Sequence, residues 1–157
     1  MGVGKTTIGK KLAKQLGRPF IDTDQLFVKE HGQISEYFEE SGENSFRELE
    51  EGFVATALAS DAVVATGGGA ILSARTRTLL AEAYVVYLAT DGRHMASRLS
   101  GGGRPLLKNG LQDWRRIYES RKHLYLEVAN LEVDTSSLPL AGILEQIKEG
   151  LSTDERF

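Results

Sequence analysis

The chain has 157 residues and a mass of 17.2 kDa, enough for one domain with a substantial core and no need of metals or crosslinks. Hydrophobic residues at 41% and charged residues at 26% argue against disorder, and a formal charge of −3 disfavours general attraction to nucleic acid or anionic membrane, so any anion must be bound locally. The absence of cysteine excludes disulfides, thiolate metal sites and cysteine nucleophiles, and with no signal peptide or bilayer-length apolar run a cytoplasmic, monomeric protein is expected.

Ile8, Leu12, Ala13 and Leu16 have helical spacing and Gly17 is a natural stop, so a helix begins directly after Gly2-Val3-Gly4-Lys5-Thr6. Arg18 to Ile21 reads as a short strand whose exit carries Asp22-Thr23-Asp24. From Gln25 to Leu58 the pattern is helical, with a break near Ser41-Gly42 and an amphipathic second piece from Phe46. Ala62 to Thr66 suits a parallel strand buried on both faces, closed by Gly67-Gly68-Gly69. A helix over about 74–81 follows, then a strand from Tyr84 to Leu88, a helix from Gly92 to about Leu99 and a loop from Ser100 to Asn109. A polar helix over 112–128, a strand at 131–133 and a helix from Leu140 to about Leu151 complete the chain. Strands alternating with helices imply a three-layer α/β/α fold with a central parallel sheet, and ligands collect beyond the carboxyl ends of such strands.

Gly2-Val3-Gly4-Lys5-Thr6-Thr7 matches the second half of the phosphate-binding loop G-x-x-x-x-G-K-[ST]. Glycines let backbone N–H groups approach phosphate oxygens while the helix aims its positive end at them. Lys5 would then meet the β- and γ-phosphates, and the Thr6 hydroxyl would meet Mg²⁺. The bland alternative is a flexible glycine-lysine loop before a helix. In the complete motif the first glycine falls ahead of Met1, preceded by a buried strand. The expectation is thus a P-loop fold whose first strand is missing from the chain as written, through a misassigned start rather than true truncation, leaving two facing strand edges unpaired.

Asp22-Thr23-Asp24, Phe46-Arg47 with Glu50, Gly67-Gly68-Gly69, Arg104-Pro105-Leu106-Leu107, and Arg121 four residues before Tyr125 occur in register across the whole chain. Together they resemble the shikimate kinases of the P-loop nucleoside-monophosphate-kinase-like superfamily. His123 stands where that family usually has proline. The resemblance implies ATP and Mg²⁺ as cofactors and shikimate as the small-molecule substrate, in a step of chorismate and aromatic amino-acid biosynthesis. It assigns Asp22 to the Mg²⁺ hydration shell and Asp24 to the substrate hydroxyls as candidate base. It also assigns Arg47 and Arg121 to the substrate carboxylate, with Glu50 orienting Arg47. Gly67, Gly68 and Gly69 would present backbone N–H to the substrate. The loop over about 100–109 would be a lid, with Arg104, and secondarily Arg98, reaching the phosphates. The helical region over about 25–58 would bind substrate, and 134–139 would hold the adenine ring.

The residue types suit that chemistry. Phosphoryl transfer to an alcohol needs charge neutralisation and a carboxylate that orients the hydroxyl and can take its proton. A guanidinium fork binds carboxylate as lysine cannot. Each assignment has a plainer rival. Asp22 and Asp24 could cap a helix, Arg47 could pair on its helix surface with Glu43 and Glu51, and Arg121 could be solvated like Arg115, Arg116 and Lys122. Two functional rivals stand beside the kinase reading: another small-molecule kinase, such as one acting on gluconate or a nucleoside monophosphate, and a non-catalytic binding or regulatory protein. The three histidines lack metal-ligand spacing.

Overall fold

A computed structural model describes residues 3–95 and 105–157. Helix α1 (Lys5–Leu16) starts at Gly4, whose φ of 91° suits a residue without Cβ, and ends at Gly17 in the left-handed region. Strand β1 (Phe20–Asp22) runs into α2 (Thr23–His31) and then α3 (Ile34–Leu58). The expected break near Ser41-Gly42 is a kink at Gly42, φ 81°, inside α3. The kink lets Phe46 and Phe53 fold onto Phe27, which is almost fully buried and meets both rings edge-on at 4.9 and 6.0 Å. Burying a phenylalanine of this kind contributes roughly 1.5–3 kcal/mol.

Strand β2 (Val63–Ala65) leads into the glycine run and a 3₁₀ turn (Ala70–Leu72) that helical periodicity did not reveal. Then come α4 (Ala74–Leu80), β3 (Val86–Ala89), α5 (Leu111–Val128), β4 (Leu131–Asp134) and α6 (Leu140–Ser152). The expected helix from Gly92 begins with a turn at Arg93 and His94 and is helical at Met95, and its remainder lies outside the described residues.

All strand pairing among the described residues is parallel. β1 pairs with β2 and β3 with β4, so the described residues form two two-stranded sheets rather than one continuous sheet. Helix α1 spans both. Its Ile8 and Leu12 pack with Val133 of β4 and Ile143, Leu144 and Ile147 of α6, while Val63 of β2 and Val86 of β3 border the same cluster. Strands β2 and β3 both line a cleft of about 500 Å³ with Val64, Ala65, Val86 and Leu88 on its apolar walls. Val63 and Val64 are accordingly half-buried, where burial on both faces was expected: the cleft leaves one side of the strand open. No helix among the described residues is long and apolar enough to cross a membrane.

Candidate active site

The carboxyl ends of β1 and β2 and the start of α1 converge, and the candidate polar residues gather there. Asp22 is both the last residue of β1 and the N-cap of α2. Its Oδ1 accepts from the backbone N–H of Asp24 at 3.0 Å and of Gln25 at 3.3 Å. Its other oxygen, Oδ2, accepts from the Thr6 hydroxyl at 3.0 Å. The capping rival is therefore correct for Asp22 without excluding a metal role, because one oxygen braces the helix while the second stays with Thr6. A hydroxyl and a carboxylate oxygen at the start of a helix are hard donors that fit Mg²⁺ held jointly by protein, water and phosphate. Among the described residues no cluster of three or more His, Asp or Glu could hold a metal ion.

Lys5 opens α1. Burial lowers its pKa, opposed by the charges of Asp24, Asp22 and Glu50, so its ammonium faces three carboxylates across one small space. Of the other loop residues, Gly4 supplies the left-handed turn. Val3 packs its side chain against Met95 and Trp114, leaving its backbone for any anion, and Thr7 points to solvent. Gly2, Arg98 and Arg104 lie outside the described residues, as does the lid loop up to Arg104.

Asp24 and Glu50 flank Gly67. A Cβ there would come within 2.9 Å of Asp24 Oδ1 and 3.0 Å of Glu50 Oε2. Burial raises both carboxyl pKa values, with Lys5 the main opposing charge for Asp24 and Arg47 for Glu50. Arg47 Nη1 donates to Glu50 Oε1 at 2.8 Å, with Glu43 more distant at 3.4 Å, and its Cζ lies 5.2 Å from the Phe46 ring centroid. Glu51 is engaged elsewhere, by Ser73 and Arg75, so only the Glu43 half of the proposed surface pairing exists. Glu50 is buried, and a buried ion pair of this kind costs desolvation that a solvated pair avoids. That cost is understandable where an arginine must be aimed.

Arg121 differs from its neighbours. It is 6% exposed, while Arg115, Arg116 and Lys122 on the same helix are exposed. Its guanidinium interacts with Tyr125, and its charge is felt by Lys5 and Glu50, which brings α5 to the same space as α1 and α3. The Tyr125 hydroxyl in turn donates to the Gly68 carbonyl at 2.8 Å. Tyr125 was not among the candidate residues, although its place one turn after Arg121 was a usable signal. The site thus brings one ammonium, two guanidiniums, three carboxylates and a glycine turn within mutual electrostatic or direct contact. It can bind a phosphate chain at one end and an acid at the other, with Asp24 between them. Beyond β4, Asp134 accepts from Ser136 N–H at 2.8 Å and Ser137 Oγ at 2.7 Å, and Ser136 Oγ accepts from Asp91 N–H at 2.8 Å, bracing the loop expected to face adenine.

Comparison with known proteins matches this arrangement to one family. The shikimate kinase family model matches residues 1–152. The shikimate kinase of Streptomyces coelicolor is 48% identical over 139 residues, covering 86% of this chain and 81% of that protein. That of Streptomyces avermitilis is 42% identical and covers 99% of this chain and 93% of that protein. Among solved structures, the Acinetobacter baumannii shikimate kinase in complex with shikimate superposes with a TM-score of 0.92 at 35% identity, covering 99% of this chain and 90% of that chain. The Aquifex aeolicus shikimate kinase gives 0.81 at 28% identity.

Proposed function

The chain belongs to the shikimate kinase family and is an ATP- and Mg²⁺-dependent phosphotransferase that converts shikimate to shikimate 3-phosphate, and from this premise we propose how its own residues divide the work. Mg²⁺–ATP supplies the phosphoryl group and neutralises charge on the phosphates. Thr6 and Asp22 hold the metal side, Asp22 through the hydration shell. The backbone of Gly2 to Thr7 and the Lys5 ammonium hold the phosphate chain. Arg47, aimed by Glu50, and Arg121 grip the substrate carboxylate, and Gly67 to Gly69 offer backbone N–H groups to the bound acid. Asp24 would orient the acceptor hydroxyl and take its proton as that oxygen bonds to the γ-phosphorus and the bond from this phosphorus to the departing ADP breaks.

Arg104, with Arg98, reaches the phosphates from a lid over about 100–109 that excludes water, and the helical region over about 25–58 forms the acid-binding side. The segment over 134–139 faces adenine. The protein acts as a cytoplasmic monomer of one domain.

The observation that carries this division is the convergence of Lys5, Asp24, Glu50 and Arg121 within mutual electrostatic reach, with Arg47 bound to Glu50. A mononucleotide acceptor would not need Asp24, Arg47, the glycine run and Arg121 together, whereas a small carboxylated polyol uses all four. A coupled assay of ATP consumption with shikimate, gluconate and nucleoside monophosphates tests it. Turnover with shikimate alone is expected, and turnover with either of the others in its place would sink the assignment.

A further inference from the structure

We propose that Tyr125 is a positioning residue that locks the Gly68–Gly69 peptide in one of two turn orientations and thereby fixes how the glycine run addresses the substrate acid. This rests on the reading that Gly67 to Gly69 face that acid.

The chain from Gly67 to Ala70 is a β-turn closed by Ala70 N–H donating to Gly67 C=O at 3.1 Å. Gly68 and Gly69 are its central residues. Gly69 has φ −87° and ψ −6°, the third-position values of a type I turn, and none of the three glycines has positive φ. Types I and II differ by roughly a half-turn rotation of the central peptide plane, and type II needs positive φ at the third position. Glycine accepts that φ without penalty, so two central glycines leave the flip almost free of steric cost. A trans peptide is planar, with C=O and N–H pointing opposite ways, so the flip reverses both the Gly68 carbonyl and the Gly69 N–H. The local sequence therefore does not choose the direction of the N–H group.

Tyr125 chooses it. Its hydroxyl donates to the Gly68 carbonyl at 2.8 Å across 57 residues of sequence. A phenol has one O–H to donate and lone pairs left to accept, so the same oxygen can also receive a hydrogen bond from Arg121. Burial raises the phenol pKa, which keeps the donor proton in place at working pH. The ring cannot drift, because it stacks on Tyr87 of β3 at 5.2 Å with planes 25° apart, and Tyr87 is itself buried. One hydroxyl thus couples an acid-binding arginine on α5 to the direction of a substrate-facing amide.

Tyr125→Phe keeps the ring and its stack and removes only the hydroxyl. Shikimate Kd by calorimetry and KM by assay are expected to rise about 10-fold, with ATP KM within about twofold and kcat falling less than about threefold. Tyr87→Phe serves as control, since its hydroxyl pairs with Tyr118 in the same aromatic stack without touching the turn. It should leave shikimate binding within about twofold. The inference is overturned if Tyr125→Phe leaves shikimate Kd unchanged, if it weakens ATP equally, or if Tyr87→Phe matches it. A parent chain that phosphorylates another acceptor and not shikimate overturns the underlying reading instead, so the two failures are separable.

Discussion

The guanidinium of Arg47 rests against Gly69 so closely that a Cβ at that position would overlap its Nη1, Nη2 and Cζ atoms. Arg47 cannot simply slide aside, because Glu50 holds its Nη1 at 2.8 Å. The glycine run is therefore a space requirement as well as a turn.

Gly69→Ala isolates that requirement. Gly69 has φ −87°, which alanine adopts freely, so the backbone has no reason to move and the side chain of Arg47 must yield. The expected outcome is a rise of about 10-fold or more in shikimate KM, with ATP KM changed less than about twofold. Steady-state kinetics with each substrate varied in turn decides the matter. Equal effects on both substrates would mean that Arg47 does not serve the acid.

Four cationic side chains on α5 separate cleanly by burial, which turns a sequence ambiguity into a comparison. Arg121→Lys keeps the charge but loses the planar fork, and shikimate binding should weaken by about 10-fold. Arg115→Lys, Arg116→Lys and Lys122→Arg, all solvent-facing, should stay within about twofold of the parent chain. Isothermal titration with shikimate reads all four, and a parallel loss across them would put Arg121 back among the surface charges.

The periodic elements were legible from local pattern. Gly17 as helix stop, the break at Gly42 and the helix ends near Leu80 and Val128 fall within a residue or two of expectation. Pairing was not, because the register of Phe20 with Val63, or Val86 with Leu131, joins residues more than 40 apart and leaves no periodic trace. At the site, Arg121 was singled out by the resemblance alone, although the helix pattern also carried a signal. Trp114, Ile117 and Arg121 are the buried residues of α5 and share one helical face, so the phase of the two apolar residues already pointed Arg121 inward. The division of labour at Asp22 was not readable, since a helix cap and a metal site call for the same residue type and only geometry gives Oδ1 to the α2 amides and Oδ2 to the Thr6 hydroxyl.

Thr6 and Asp22 give a test of the metal side. Thr6→Ala removes the hydroxyl that lies 3.0 Å from Asp22 Oδ2, while Thr6→Ser restores an oxygen at the same place. The Mg²⁺ concentration giving half-maximal turnover should rise about 10-fold in the alanine variant and return to within about twofold in the serine variant, with shikimate KM little changed. If alanine and serine behave alike, the threonine methyl matters more than its oxygen, and the metal assignment falls.

As the proposed base, Asp24 ties turnover to stability, with effects of opposite sign. Burial is the largest influence on its carboxyl and raises the pKa, Asp22 adds repulsion, and Lys5 and Arg47 only partly compensate. A base must be ionised, so turnover should fall on the acid side through a pKa above the ordinary aspartate value of about 3.9. Asp24→Asn should remove about 10²–10⁴ of kcat while leaving ATP KM within a few-fold. For folding, a raised carboxyl pKa contributes stability that is complete below about pH 3.9 and disappears as pH climbs through the folded-state value, because the native state then carries an ionised group it holds less well than the unfolded chain does. Asparagine has no such charge to bury. The Tm of Asp24→Asn relative to the parent should therefore increase between pH 4 and pH 7, while the variant stays poorly active throughout that range. Scanning both proteins calorimetrically across that window checks the sign, and a Tm difference that shrinks with rising pH would show that Lys5 stabilises the ionised carboxylate by more than its burial costs.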